Sequence, residues 1–260
     1  MRALLLLTVC AVFLATIGCG AGSSNTGDNS STSGGTVSTV GDAQGVYSGT
    51  TSTGYSFFGI VLPTDRFYGI YGKISNNGNE FLMYGLIAGQ GASGSTTYSA
   101  PSVTDYFYTG VVNNGSITAT YVAGSNFNGT LTENGYPTTL TGTALPTSLF
   151  NYDTAASISA ISGTWAGTLL DGASATVTIT SNGGVSGSSS GCSFSGAVAP
   201  DPSNKNFFDV LLTFGASPCP LPNEIATGIA VEYSLTGGGS QLAAAVTSGA
   251  TGATVFAAQR

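Results

Sequence analysis

Few side chains in this chain can do covalent chemistry, and the most telling of them is a thiol. Cys19, one of four cysteines in 260 residues, ends an N-terminal segment with Arg2 as its positive start and residues 3–15 as a short apolar core. Thr16-Ile17-Gly18-Cys19 resembles the site where a signal peptidase cuts ahead of a cysteine that is then acylated. Cys19 is therefore the expected lipidation site, carrying palmitate-type chains, and Gly20 after it leans toward outer-membrane rather than inner-membrane sorting. Cys10 leaves with the signal peptide. Cys192 and Cys219 then remain as an even pair in an oxidising compartment, where a structural disulfide is expected. A redox pair or a metal site is not expected, because the spacing is not C-x-x-C and the chain has no histidine.

The missing histidine also removes the usual base for a serine nucleophile. Gly187-Ser188-Ser189-Ser190-Gly191 matches G-x-S-x-G, but a nucleophile elbow needs a strand-to-helix turn and a base. Gly89-Gln90-Gly91-Ala92-Ser93-Gly94 matches G-x-G-x-x-G, yet Ser95-Thr96-Thr97-Tyr98 follows and favours a strand over a phosphate-binding helix. Asp209 and Glu232 are candidate neighbours on a sheet; the glycosidase arrangement needs two acids facing one cleft, and the plainer reading is two solvated charges. No catalytic residue, metal or cofactor is expected, and the chain is read as non-enzymatic. Nucleic acid is excluded as a partner by charge: the formal net charge is −7, and it becomes one unit more negative when Arg2 leaves.

The elements that position these residues are strands. Charged residues make up 7% of the chain, Gly, Ser, Thr, Val and Tyr dominate, and no window has clean helical spacing. Turn signals recur at Thr64-Asp65, Asn76-Asn77-Gly78, Asn113-Asn114-Gly115, Glu133-Asn134-Gly135, Asp171-Gly172, Asn182-Gly183-Gly184 and Gly237-Gly238-Gly239. They separate strands such as 55–62, 67–75, 81–88, 207–214 and 229–235, and the short connections predict antiparallel meanders. Gly45-Val46-Tyr47-Ser48-Gly49-Thr50 and Gly163-Thr164-Trp165-Ala166-Gly167-Thr168 both read G-x-aromatic-x-G-T. Each opens a block long enough for about eight strands, the number at which an up-and-down sheet closes. The expected fold is all-β, with antiparallel meanders forming one or two small up-and-down barrels behind a disordered tether. The expected organisation is a signal peptide at 1–18, a lipidated flexible linker at 19–43, a Tyr-rich β-barrel-like domain at 44–153 and a disulfide-containing β-barrel-like domain at 163–260. Behaving as a coil, the linker reaches ~27 Å.

The later block resembles a family of uncharacterised proteobacterial β-rich lipoproteins. The likeness runs from Gly163-Thr164-Trp165 through Gly191-Cys192-Ser193-Phe194-Ser195-Gly196 and Phe207-Phe208-Asp209-Val210 to Cys219 and Ala226-Thr227-Gly228-Ile229-Ala230. That resemblance implies secretion and a barrel-like fold, with no activity attached. A looser likeness is to the barrel domains of transferrin-binding-protein-like surface lipoproteins, and the opening Gly-x-aromatic strands are similar to those of lipocalins and avidins.

The main functional hint is an asymmetry of aromatics: of 12 tyrosines, only Tyr233 lies beyond residue 153. Tyrosine offers a rigid ring with a polar tip, so Tyr55, Tyr68, Tyr71, Tyr84, Tyr106 and Tyr108 are the candidate binding residues for a protein or glycan. The blander reading is barrel architecture, with one ring set inside and another packed elsewhere. The expected function is a lipid-anchored envelope protein of binding type; the alternatives are a lipocalin-like carrier of a small apolar ligand and a structural spacer. A transmembrane barrel, suggested by a mean hydropathy of +0.26 and low charge, is disfavoured by the anchor, the tether and the cysteine pair.

Overall fold

The computed structural model describes residues 42–74, 81–235, 238–249 and 252–260. The signal peptide, Cys19 and the linker up to residue 41 lie outside them. Eight strands form the first sheet: β1 Gly45–Thr51, β2 Ser56–Val61, β3 Arg66–Ile74, β4 Phe81–Ser93, β5 Thr97–Phe107, β6 Val112–Val122, β7 Asn126–Glu133 and β8 Tyr136–Ala144. One helical turn, α1 Ile158–Ile161, precedes eight more: β9 Gly163–Leu169, β10 Ser174–Ile179, β11 Gly184–Ser189, β12 Cys192–Pro200, β13 Phe208–Phe214, β14 Ile225–Ser234, β15 Ser240–Ser248 and β16 Gly252–Gln259. Every neighbouring pair is antiparallel. Each set closes on itself, β8 onto β1 and β16 onto β9, giving two up-and-down barrels.

Where the barrels face solvent, as on β6 and β8, inward apolar residues alternate with outward small polar ones. On β6, Ile117, Ala119 and Tyr121 are buried while Thr118 and Thr120 are exposed; on β8, Leu140 is buried between exposed Thr139 and Thr141. A lipid-facing barrel has the opposite pattern, apolar out and polar in.

The repeated G-x-aromatic-x-G-T strand is the closing seam of each barrel. Gly45 and Gly163 hold φ of 145° and 114°, a region that favours glycine, and turn the chain into β1 and β9. Tyr47 and Trp165, each 1% exposed, plug one end of their barrels. Each bonds the carbonyl four residues back: Tyr47 Oη donates to Ala43 O at 2.9 Å, and Trp165 Nε1 donates to Ile161 O at 2.7 Å. The second glycine lets the last strand approach. A Cβ on Gly49 would collide with the Thr141 carbonyl oxygen, and one on Gly167 with that of Ala257. In the second barrel Arg260 completes the plug, its guanidinium 4.0 Å from the Trp165 ring and bonded to the carbonyls of Ser162 and Ala160.

One turn signal misleads. Asn113-Asn114-Gly115 lies inside β6, and the chain reverses earlier, at Thr109-Gly110, where Gly110 has φ 82° and its N–H bonds Phe107 O at 2.9 Å. Glu133-Asn134-Gly135 does turn, with φ of 50° at Asn134 and 82° at Gly135, the pattern of a two-residue hairpin loop. The Asn76-Asn77-Gly78 signal lies outside the described residues.

The two barrels are not beads on a string. A third apolar cluster forms between their outer faces, where Ile60, Tyr68, Leu86 and Tyr106 of the first meet Phe207, Ile229, Ala245 and Val255 of the second. Phe150 and Tyr152 of the connecting segment join it. Tyr106 Oη donates to Gly249 O at 2.6 Å, and Tyr152 Oη donates to Val61 O at 3.2 Å.

Cys192 and Cys219 form a disulfide that ties the start of β12 to the proline-rich loop before β14, a sequence separation of 27. Replacing both cysteines with alanine should cost about 3 to 4 kcal/mol by loop-closure entropy. The measurement is the urea midpoint against that of the oxidised protein; equal midpoints would show that the loop is already held without the bond.

Candidate functional site

Up-and-down topology places the β1–β2, β3–β4, β5–β6 and β7–β8 connections at one end of the first barrel. The chain enters β1 at the other end, so this mouth faces away from Ala43 and the incoming linker. Just inside it sits an acid pair that the sequence reading missed. Asp105 follows Val103 on the inward face of β5, and Glu133 follows Leu131 on the inward face of β7. Asp105 is 2% exposed. Its carboxyl shares a hydrogen bond with that of Glu133, and the Tyr71 hydroxyl donates to it, at 2.9 Å from Oδ2 and 3.1 Å from Oδ1. Glu133 Oε1 is buried and accepts no hydrogen bond among the described residues.

Glycines on neighbouring strands make the room. Gly85, paired with both Tyr71 and Phe107, leaves space that the Tyr71 ring fills, and a Cβ on Gly115 would stand 2.9 Å from Glu133 Cγ. Burial, and then the Glu133 charge, push the Asp105 carboxyl up to about 8, against the opposing pull of the Tyr71 hydrogen bond. Burial raises Glu133 as well. Asp105 thus holds its proton at neutral pH and can donate it to Glu133. Hydrogen-bonded carboxyls stand closer together than the roughly 5 to 9.5 Å found in glycosidase pairs.

Aromatic rings roof the pair. Tyr55 lies 5.7 Å from Tyr71 and 5.5 Å from Tyr84; Tyr84 lies 5.5 Å from Tyr108, and Tyr71 lies 6.2 Å from Phe107. Lys73 places its ammonium 5.3 Å from the Tyr55 ring. Around the roof runs an exposed apolar rim: Ile74 is 55% exposed, Tyr108 49%, Val111 53% and Tyr136 79%. Gathered at one end, such side chains offer apolar surface that a partner could cover.

The six candidate tyrosines do not share one face. Tyr55, Tyr84 and Tyr108 stand at the mouth, and Tyr71 is inside the barrel bonded to Asp105. Tyr68 and Tyr106 are 3% and 4% exposed and are buried against the second barrel. Strand alternation shows which residues share a face, but which face a second barrel covers is a tertiary matter.

The other motifs are structural where they are seen. Gly89 to Ser93 belong to β4, and no helix follows. In the G-x-S-x-G stretch the Ser189 hydroxyl donates to Ser174 O at 2.8 Å within the sheet. Asp209 pairs across the sheet with Ile229 and Glu232 with Leu242, so the two acids are three residues out of register and not neighbours. No group of three metal-ligating side chains occurs among the described residues. No described helix is long and apolar enough to cross a membrane. The second barrel encloses an apolar cavity of about 50 Å³ lined by residues such as Val177, Phe194, Leu212 and Phe256.

Fold and site together define an all-β double barrel with an aromatic-roofed acid pair at one mouth. No protein-family model matches the chain and no curated protein matches it, so the expected likeness of the later block to a proteobacterial lipoprotein family gains no support. Among solved structures it is similar to the isotype 1 transferrin binding protein B from serogroup B Neisseria meningitidis, with TM-score 0.25 and 9% identity, covering 79% of this chain and 65% of that one. It is also similar to a DUF3598-family protein of unknown function from Nostoc punctiforme, with TM-score 0.27 and 13% identity, covering 85% and 96%. The chain thus spans less than two thirds of the transferrin binding protein, and at these scores neither likeness carries an argument.

Proposed function

We propose that this chain is a lipid-anchored, non-enzymatic envelope protein that presents the mouth of its first barrel to a protein partner. The observation that carries the reading is the apolar rim of Ile74, Tyr108, Val111 and Tyr136 at the end away from Ala43. Acylation at Cys19 and the linker behind it would hold the second, closed end toward the outer membrane and leave the rim free. Aliphatic side chains beside tyrosines favour a protein surface over a sugar, which stacks on rings alone. A carrier role is less well supported: a cavity of about 50 Å³ is far below the roughly 300 Å³ at which small-molecule pockets begin.

A photo-crosslinking residue at Tyr136, introduced in the native envelope, tests this. It should trap one discrete partner, the same residue at exposed Thr213 on the second barrel should not, and adding Tyr108→Ser and Val111→Ser to the Tyr136 probe should abolish the product. Equal products from both positions, or a product indifferent to the serine substitutions, would overturn the rim as the interface.

A further inference from the structure

At the other end of the first barrel, the hairpin from Leu62 to Arg66 overhangs the outer face of β12, β13 and β14, leaving a cleft of about 610 Å³ between the barrels. Small residues, Ala197, Ala199 and Gly228, form its floor. Leu211, 49% exposed, and Ile229 flank that floor: the sheet rows run Ala199, Asp209, Ile229 and Ala197, Leu211, Thr227. Both size and place suit a ligand site, since pockets of 300 to 1,000 Å³ favour the junctions between structural units.

The charges on its walls are opposite and unmatched. Arg66, half-buried, stacks its guanidinium 5.0 Å from the Tyr68 ring and forms no ion pair among the described residues. Across the cleft the Asp201 and Asp209 side chains share a hydrogen bond, and Asp201 Oδ1 also accepts from Ser203 N at 2.8 Å. Arg66, Tyr68, Asp201 and Asp209 all line this one cleft. Arg66 is half-buried and Asp209 exposed, and the two walls leave charged hydrogen-bonding groups of opposite sign without each other as partners. A ligand with a negative end and a positive end gains charge-assisted hydrogen bonds on both walls.

We propose that this cleft binds a short zwitterionic peptide, its terminal carboxylate on Arg66, its terminal ammonium at Asp201 and Asp209, and its small side chains over Ala197, Ala199 and Gly228. The guanidinium fork matches a carboxylate through two parallel hydrogen bonds. Closed barrels leave no free strand edge, so main-chain strand addition contributes nothing and recognition falls on the two termini. A single small amino acid leaves most of a cleft of about 610 Å³ unfilled.

The test is titration of the methyl-labelled full chain with trialanine, its N-acetyl form, its C-terminal amide and free alanine, read at the Leu62, Leu211 and Ile229 methyls. Trialanine should give saturable shifts, and each capped peptide and alanine should bind at least about tenfold more weakly, as loss of one charged hydrogen-bond set implies. Arg66→Gln should bind trialanine and its amide alike, and Asp209→Asn should narrow the gap between trialanine and its acetylated form. Absence of saturable shifts at millimolar trialanine, capped peptides binding the unaltered protein as tightly as trialanine, or alanine doing so, would overturn the proposal. None of these outcomes touches the rim, so this cleft stands or falls separately from the proposed interface.

Discussion

Asp105→Asn should make the protein more stable than its parent at pH ~9 and leave the two nearly equal at pH ~4. Asp105 is 2% exposed and its carboxyl is pushed up to about 8, first by burial and then by Glu133. In the unfolded chain the same group titrates at ~3.9. The folded state therefore holds an extra proton between these values. Stability from this group is complete below pH ~4, falls as pH rises, and is flat again above ~8. Glu133, raised by burial too, adds in the same direction. Asparagine mimics the protonated acid: its carbonyl accepts from Tyr71, its amide donates to Glu133, and it has no proton to lose. Taking half the full shift, to allow for relaxation around a buried charge, the effect is about 3 kcal/mol, or roughly 6 to 12 °C in Tm for a protein of this size. Calorimetry from pH ~4 to ~9 reads it as a steeper fall in Tm for the parent than for the variant; parallel curves would mean that the pair is solvated and ordinary.

Gly167→Val should open the second barrel. Gly167 is opposite Ala258 at the seam between β9 and β16, where any Cβ meets the Ala257 carbonyl oxygen. The obstacle is backbone, so no rotamer relieves it, and the strands must separate or the seam must slip. The expected loss is about 3 kcal/mol or more, at the upper end for overpacking. Gly172→Ala is the control, because its glycine is needed for another reason: φ is 81° in the β9–β10 turn, with open space where a Cβ would stand. That change should cost only about 1 kcal/mol. Chemical denaturation of both variants separates the two effects; a Gly167→Val protein as stable as Gly172→Ala would show that the seam tolerates a wider spacing.

The seam is also where the sequence was most legible. Gly45-Val46-Tyr47-Ser48-Gly49 and Gly163-Thr164-Trp165-Ala166-Gly167 repeat because each barrel meets the same local demands: a turn into the first strand, a ring to stop the end, and a glycine to admit the last strand. Asn134-Gly135 and Asp171-Gly172 were readable for a similar reason, since a hairpin turn constrains two or three adjacent residues. Asn113-Asn114-Gly115 has the same letters and no turn: Gly115 is needed there to admit Glu133 from the next strand, and Gly110 makes the reversal instead.

The acid pair left a faint signal, a carboxylate following Val103 and another following Leu131 at inward positions of apolar alternations. Nothing local says that β5 and β7 converge on one interior, so the two carboxylates could not be paired from the sequence. By itself the sequence determined the all-β class, the strands that open two blocks each long enough for about eight strands, and the cysteine pair, since these follow from residue period, turn chemistry and parity. That the blocks close as two separate barrels came from the pairing of β8 with β1 and β16 with β9. Only the tertiary structure decided that Tyr68 and Tyr106 are covered while Tyr84 and Tyr108 remain at the mouth, that Asp105 meets Glu133, and that Arg66 and Asp209 line one cleft. Those contacts depend on barrel stagger and on how two outer faces dock, quantities set by the summed packing of many strands and encoded in no single segment.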